Sequence, residues 1–290
     1  MPYALLDGIS TRYEVTGTGP ALLMLSPGGF DATIEGWSSL GIYRRLGLLD
    51  RLAERYTCIR FDRRDAGGSG GRVERIGWGH YARQAKTLLD ALGIESAHLI
   101  GGCVGCSTAV ALAVDQPARV TSMVLYSPAG GAAYRIKQHA RFAEHLGYVA
   151  QHGLEAVARL ARTNDQGFSQ DARVGPWVSV LRRDQAFAAD YAALDPDRYA
   201  VVVTGMARLL FDRDTVPGAE PEDMMLLNIP ALIVPGQDSS HATSAARYLQ
   251  ECLPRAEYWD VPVPAQTAQN APSRVLQFLA NVDRGVAPQP

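Results

Sequence analysis

Apolar residues fall along this chain in short runs that alternate with helically spaced stripes, strand then helix, several times over. Residues 11–15 and 21–25 form β-compatible runs on either side of the turn-forming stretch Gly17 to Pro20. The second run breaks off in Ser26-Pro27-Gly28-Gly29-Phe30. A helical pattern over 42–55 leads to a strand at 57–61, which ends in Asp62-Arg63-Arg64-Asp65-Ala66-Gly67-Gly68-Ser69-Gly70. Between 80 and 92 the apolar positions Tyr81, Ala85, Leu88, Leu89 and Leu92 share a helical face, and Gly93 is placed to cap it. A strand at 97–100 runs into Gly101-Gly102-Cys103-Val104-Gly105-Cys106, a small-residue helix follows through 108–113, and 120–126 is the next strand. Repeated β-then-α order requires a parallel sheet with crossover helices, the α/β class.

From 132 to 227 the pattern becomes mostly helical, interrupted at Val174-Gly175-Pro176-Trp177 and at Asp195-Pro196. It reads as an inserted helical cap. The sheet pattern resumes with a strand at 231–235, a helix at 243–252, a strand at 256–263 and a helix at 273–282. The expected organisation is a core from 1–131 and 228–283, a cap from 132–227, and a flexible tail over 284–290.

Composition narrows the function classes. With 47% hydrophobic and 20% charged residues in 290, the chain has material for one substantial core. The net charge of -2, without a basic block, argues against nucleic acid as a partner. No apolar run approaches the roughly 20 residues that span a bilayer, and the N-terminus lacks a leader pattern, so a cytoplasmic protein without membrane attachment is expected. A homodimer is left open. Four cysteines are too few for a disulfide scaffold, so free thiols are expected, with Cys58 and Cys252 as small apolar core residues.

Cys103 is the chemical focus. A strand that ends in small-x-nucleophile-x-small and feeds a helix forces its central residue into a strained turn, lifting that side chain above the strand ends. Gly101 and Gly105 supply the small flanks. The helix N-terminus behind the turn offers N–H groups and a positive dipole, both of which favour the reactive thiolate.

With that elbow, three other loops resemble the α/β-hydrolase superfamily over nearly the whole chain. Ser26 to Phe30 is similar to the His-Gly-type loop after the third strand. Phe61 to Ser69 is similar to the Asp-x-Arg-Gly-x-Gly-x-Ser loop, and Val234-Pro235-Gly236-Gln237-Asp238 to the turn that carries the triad acid. The resemblance, which is to the capped esterase and C–C hydrolase branch, implies a mostly parallel central sheet of about eight strands, with helices on both faces and an inserted cap. It implies an oxyanion hole from the N–H of Val104 and a second N–H from Gly29 or Phe30, with Asp238 as the acid. Cysteine replaces the usual serine, as in dienelactone-type hydrolases.

One departure is serious. The family places its base after the last strand, where this chain reads Val261-Pro262-Val263-Pro264-Ala265-Gln266-Thr267 and holds no histidine. His241, three residues beyond Asp238, is the substitute on the same rim; the alternative is that it merely caps the helix starting near Thr243. The expected activity is hydrolysis or acyl transfer at the carbonyl of a small substrate: an ester, thioester, lactone or activated C–C bond. A lyase, dehydratase or isomerase that forms no acyl-enzyme, and a noncatalytic binding protein, stay open. Cys103 and Cys106 also spell Cys-x-x-Cys, so a redox role or a masking disulfide with Cys106 is a further reading. No zinc-ligand spacing, phosphate loop or dinucleotide cradle is present, so no cofactor or metal is expected. The remaining histidines, His80, His98, His139, His145 and His152, read as surface or core residues. The Asp62 to Asp65 loop reads as structural. Trp177, Phe187, Tyr191, Tyr199 and Phe211 read as cap core or as the lining of a substrate chamber.

Overall fold

Among residues 2–286, which the computed structural model describes, eight strands form one sheet. They are β1 (Tyr3–Leu6), β2 (Ile9–Thr16), β3 (Ala21–Leu25), β4 (Thr57–Phe61), β5 (Ala97–Gly102), β6 (Val120–Tyr126), β7 (Ala231–Val234) and β8 (Ala256–Tyr258). Their order is β1-β2-β4-β3-β5-β6-β7-β8. The first two join antiparallel, and every pairing from β4 to β8 is parallel.

Period-two alternation explains why the central strands are apolar throughout. Leu23 and Leu25, Leu99, Met123 and Leu125, and Ile233 enter one core, while Leu22, Met24, Ile100, Val124 and Leu232 enter the other. Each such side chain, taken fully out of water, contributes about 1.5–3 kcal/mol. Crossover helices cover both faces: α1 (Gly36–Ser39), α2 (Gly41–Leu46), α3 (Leu48–Ala53), α4 (Trp78–Ala91) and α5 (Gly105–Asp115) precede β6. Between β6 and β7 the chain is helical, with α6 (Ala132–Thr163), α7 (Val178–Arg183), α8 (Gln185–Ala192), α9 (Pro196–Leu210) and α10 (Pro221–Met225). This insertion has its own apolar cluster, which includes Phe142, Phe168, Trp177, Tyr191 and Tyr199. It breaks once, at Gly153 inside α6, where φ is 76°. Two helices, α11 (Thr243–Cys252) and α12 (Asn270–Asp283), complete the fold.

Four local differences from the sequence pattern have physical causes. Strand β1 is added by a two-residue hairpin at Asp7 and Gly8, both with positive φ, which pairs Leu6 with Ile9. The helix expected over 42–55 is broken at Gly47, whose φ of 58° ends α2 and starts α3. The last strand stops at Tyr258 rather than 263, because Pro262 and Pro264 cannot donate to a ladder. Helix α12 begins at Asn270, since Pro272 falls in its first turn, where an amide hydrogen has no intrahelical partner. Of the expected tail, Arg284 to Val286 close α12 through a bond from the Val286 N–H to the Asn281 carbonyl at 2.9 Å. Residues 287–290 lie outside the described residues.

Candidate active site

The turn from β5 into α5 places Cys103 in the left-handed region at φ 54°, a conformation that costs a non-glycine residue about 1–2 kcal/mol. Three backbone bonds of 3.2 Å hold it there: the Cys103 N–H donates to the Tyr126 carbonyl, and the Cys103 carbonyl accepts from the Cys106 and Ala129 N–H groups. The flanking glycines are demanded by contact. A Cβ on Gly101 would sit 2.5 Å from the Gly105 carbonyl oxygen, and one on Gly105 would sit 2.1 Å from that of Leu25. The sulfur is partly exposed, and it faces open space rather than the interior.

The backbone amides of Val104 and Gly28 favour the charged form of that sulfur. Val104 lies directly after the elbow. Gly28, at φ 119°, heads the turn Gly29–Asp31 after β3, where a Cβ would approach the Asp31 carbonyl oxygen to 2.8 Å. Gly28 immediately precedes the Gly29 and Phe30 pair expected to supply the second oxyanion donor. Gly29 lines the cavity above the sulfur, and the Phe30 ring turns away into the insertion, edge-on to Phe168 at 5.1 Å. Behind the loop, Arg63 donates to the Gly29 carbonyl at 2.6 Å and lies 4.0 Å from the Tyr81 ring centroid.

His241 reaches the same point from the loop after β7. Its Nδ1 bonds the Asp238 carboxylate at 2.8 and 2.9 Å, and Asp238 also accepts the Ser240 and His241 backbone N–H groups. The loop is pinned to the end of β6: the Gly130 N–H donates to the Ser240 carbonyl at 3.0 Å, and residues 130 and 241 form a bridge. Nε2 of His241 is buried and meets no acceptor of ordinary hydrogen-bond geometry. Its electrostatic partner is nevertheless the Cys103 sulfur, because charge attraction tolerates length and angle that a hydrogen bond does not.

That coupling governs both protonation states. Burial alone would push the Cys103 thiol up, but the nearby His241, joined by the Val104 and Gly28 amides, brings it below the ordinary cysteine value. Burial alone would lower the His241 imidazole, but Cys103 and then Asp238 push it up to about 9. Each group thus shifts the other toward its charged form, Cys103 toward thiolate and His241 toward imidazolium.

Above the sulfur lies a cavity of about 670 Å³, within the range that holds a small organic ligand. Tyr43 and Ile42 wall one side, the loop of Val263 and Pro264 another, and the face of α6 carrying Tyr134 and Arg141 a third. The stretch where a late histidine was expected thus reaches the cavity, but presents valine and proline. Gln266, just beyond, is fully buried, accepting from the Tyr126 hydroxyl at 2.6 Å and donating to the Val261 carbonyl at 2.9 Å.

The other residues singled out in the sequence lie elsewhere. Cys106 is buried, with its thiol directed at the Gly101 carbonyl at 3.1 Å, and burial holds it well above its ordinary value. Cys58 is pushed up to about 12 by burial. His98 bonds Ser122 and Asp283, His145 bonds the Tyr199 hydroxyl at 2.6 Å, His139 bonds the Phe211 carbonyl, and His80 accepts from the Gly77 N–H. His152 packs against the Tyr148 ring. Asp62 is spent on the Ile34 and Gly68 amides and on Arg12, which makes its loop structural. Trp177, Tyr191, Tyr199 and Phe211 are buried in the insertion and do not line this cavity. Among the described residues no three His, Cys, Asp or Glu side chains are grouped to hold a metal, and no helix is long and apolar enough to cross a membrane.

Comparison with known proteins places these features in context. The sequence profile of a family described as alpha/beta hydrolase fold matches residues 21–173. The chain is 36% identical over 128 residues to the dihydrolipoyllysine-residue acetyltransferase component of the acetoin cleaving system of Cupriavidus necator, covering 44% of this chain and 32% of that protein. It is 38% identical over 127 residues to a 2-hydroxy-6-oxo-6-phenylhexa-2,4-dienoate hydrolase of Comamonas testosteroni, covering 43% of this chain and 42% of that one. The matched stretch is under half the length of either relative. A solved enol-lactonase from Burkholderia xenovorans superimposes with a TM-score of 0.60 at 20% identity, covering 96% of this chain and 100% of that chain, a likeness of fold.

Proposed function

The chain belongs to the alpha/beta hydrolase fold family, and from that premise we propose that it is a hydrolase or acyl transferase whose nucleophile is Cys103. The observation that carries the reading is the convergence on one sulfur of two backbone N–H groups and an imidazole, at the floor of a cavity of about 670 Å³.

The chemistry follows from the charges. The Cys103 thiolate attacks the substrate carbonyl carbon, and the carbonyl electron pair moves onto oxygen. The N–H groups of Val104 and Gly28, which favour the thiolate before attack, then hold the oxyanion. The tetrahedral species collapses by expelling the leaving group, to which the His241 imidazolium donates its proton, and a thioester to Cys103 remains. Neutral His241 next takes a proton from water, whose oxygen attacks the thioester carbonyl. Collapse releases the acid and restores the thiolate and imidazolium. Asp238 keeps Nδ1 protonated, so that Nε2 is the atom that exchanges protons with substrate. The helical insertion supplies one wall of the cavity and acts as a cap over the acyl group.

The test is intact-protein mass spectrometry with p-nitrophenyl butyrate and a short-chain acyl thioester. The expected result is an acyl adduct that maps to the Cys103 peptide, decays with product formation, and is absent from Cys103→Ala. Turnover that persists undiminished in Cys103→Ala would show that Cys103 is not the nucleophile, and absence of both adduct and turnover would favour a binding protein or a lyase; either would overturn the reading.

A further inference from the structure

Four residues of α6, Tyr134, Lys137, Gln138 and Arg141, recur at i, i+3, i+4 and i+7 and all face the cavity above Cys103. Two of them are cations, and neither is in a close ion pair, although Asp31 and Glu144 act on Arg141 from farther off. Among the described residues no carboxylate lies within 4.0 Å of the Arg141 guanidinium or the Lys137 ammonium. Arg141 is partly buried and held in place: it donates to the Gln138 side-chain oxygen at 2.5 Å and to the Ser169 carbonyl at 3.0 Å, and lies 5.8 Å from the Phe168 ring centroid. These bonds orient the planar fork and leave several of its five N–H donors free. Burial draws Arg141 below its ordinary value, against Tyr134, Asp31 and Glu144, which act to raise it.

The cavity's other charges do not neutralise this wall. Asp238 and Cys103 are both committed to His241. Asp31 is buried behind the cavity rather than lining it, and acts on Arg141 as well as being acted on by Arg63 and Arg182. Arg45, on the opposite wall, is a further cation and donates to the Gln266 and Val263 carbonyls. A positioned, partly desolvated guanidinium facing open space is a recognition element for an anion, and its planar fork suits a carboxylate.

We propose that the acyl substrate carries a carboxylate, bound by Arg141 with Lys137 as an outer cation, while the reacting carbonyl lies over Cys103; this rests on the catalytic reading above. The product of such a hydrolysis is a dicarboxylic acid. The end of the cavity at Val263, Pro264 and Ile42, where Arg45 is tied to backbone carbonyls, is left for the leaving group.

Mono-p-nitrophenyl glutarate and p-nitrophenyl butyrate differ in this feature and share the leaving group. The wild-type protein is expected to favour the glutarate ester by tenfold or more in kcat/KM at low salt, with the preference shrinking in 0.5 M NaCl. Arg141→Gln should bring the ratio of the two esters to within about threefold of one, mainly through KM for the charged ester, and Arg141→Lys should keep part of the preference. Because the ratio is taken on one preparation, partial loss of folded protein cancels. A wild-type kcat/KM for the butyrate ester equal to or above that for the glutarate ester, or an unchanged ratio in Arg141→Gln, overturns the carboxylate subsite alone. If neither ester acylates Cys103, the catalytic reading falls and takes the subsite with it.

Discussion

A Cβ placed on Gly236 would lie 2.4 Å from the Cβ of His241. The two residues are five apart, and the loop between them folds back so tightly that His241 stands against the end of β7. Gly236→Ala should therefore displace the imidazole rather than unfold the sheet. A shift of about 1 Å at a catalytic group can cost on the order of a hundredfold in rate. The expected outcome is a fall of that order in kcat/KM for an ester of Cys103, with the melting temperature lowered by only a few degrees. An active Gly236→Ala protein would mean that His241 does not need its observed seat.

Removing the imidazole itself should cost more than loosening its orienting acid. His241→Ala is expected to lower kcat/KM by about a hundredfold or more, in line with loss of a general acid and base. It should also return the Cys103 thiol toward higher pH, read as an upward shift in the pH dependence of iodoacetamide alkylation. The Asp238 side chain is 66% exposed, so solvent screens its hold on Nδ1. Asp238→Asn should accordingly fall between wild type and His241→Ala in both measurements.

The pH profile follows from the direction of the two shifts. His241 is raised to about 9, so the stability it contributes is fully present below the ordinary imidazole value and is lost as pH climbs through about 9. Cys103 is lowered, so its contribution is present above the ordinary cysteine value and is lost as pH falls through its lower folded value. Activity should decline on the alkaline side through about pH 9, as the proton for the leaving group is lost. Cys103→Ala removes the group that raises His241. The melting-temperature gap between wild type and this variant should narrow across the same alkaline range.

Thiol reactivity separates the four cysteines. Cys58, Cys106 and Cys252 are buried and held above their ordinary value, chiefly by burial, while Cys103 alone is lowered. One equivalent of Ellman's reagent should react rapidly with the native protein, and none with Cys103→Ala. With its thiol committed to the Gly101 carbonyl, Cys106 should not form a disulfide with Cys103 under oxidised glutathione. A tryptic peptide in which the two are bridged would restore the redox reading.

Gly105→Ala tests the elbow as a packing device. The added methyl would meet the Leu25 carbonyl oxygen at 2.1 Å, backbone that cannot rotate away. Strand β3 and helix α5 would have to separate, a cost of at least about 1–3 kcal/mol by comparison with overpacked cores. Thermal melting should fall by roughly 2–4 °C per kcal/mol for a chain of this size, with loss of Cys103 reactivity.

What could be read without coordinates was local. Gly101, Cys103 and Gly105 are legible as an elbow because their constraint is carried by neighbouring residues, and the apolar runs of β3 to β7 announce a sheet buried on both faces. Asp7-Gly8 was equally legible as a hairpin turn, though β1 is not among the strands that the pattern suggested. The break at Gly47 and the early start of α12 turned on single-residue backbone freedom, where periodicity is weakest.

The site was assembled by contacts that run between distant segments. Placing His241 beside Cys103 required the loop after β7 to pair with Gly130 at the end of β6. Bringing Gly28 and Gly29 to the same cavity required the turn after β3, and bringing Arg141 there required the insertion to fold back over the strand ends. By itself the sequence determined the strained turn, the sheet and the missing late histidine, because short-range sterics and period-two burial act between near neighbours. Only the tertiary structure decided which imidazole, which amides and which cations share one cavity. Those proximities depend on loop pairings and packing between segments distant in sequence, which no local pattern encodes.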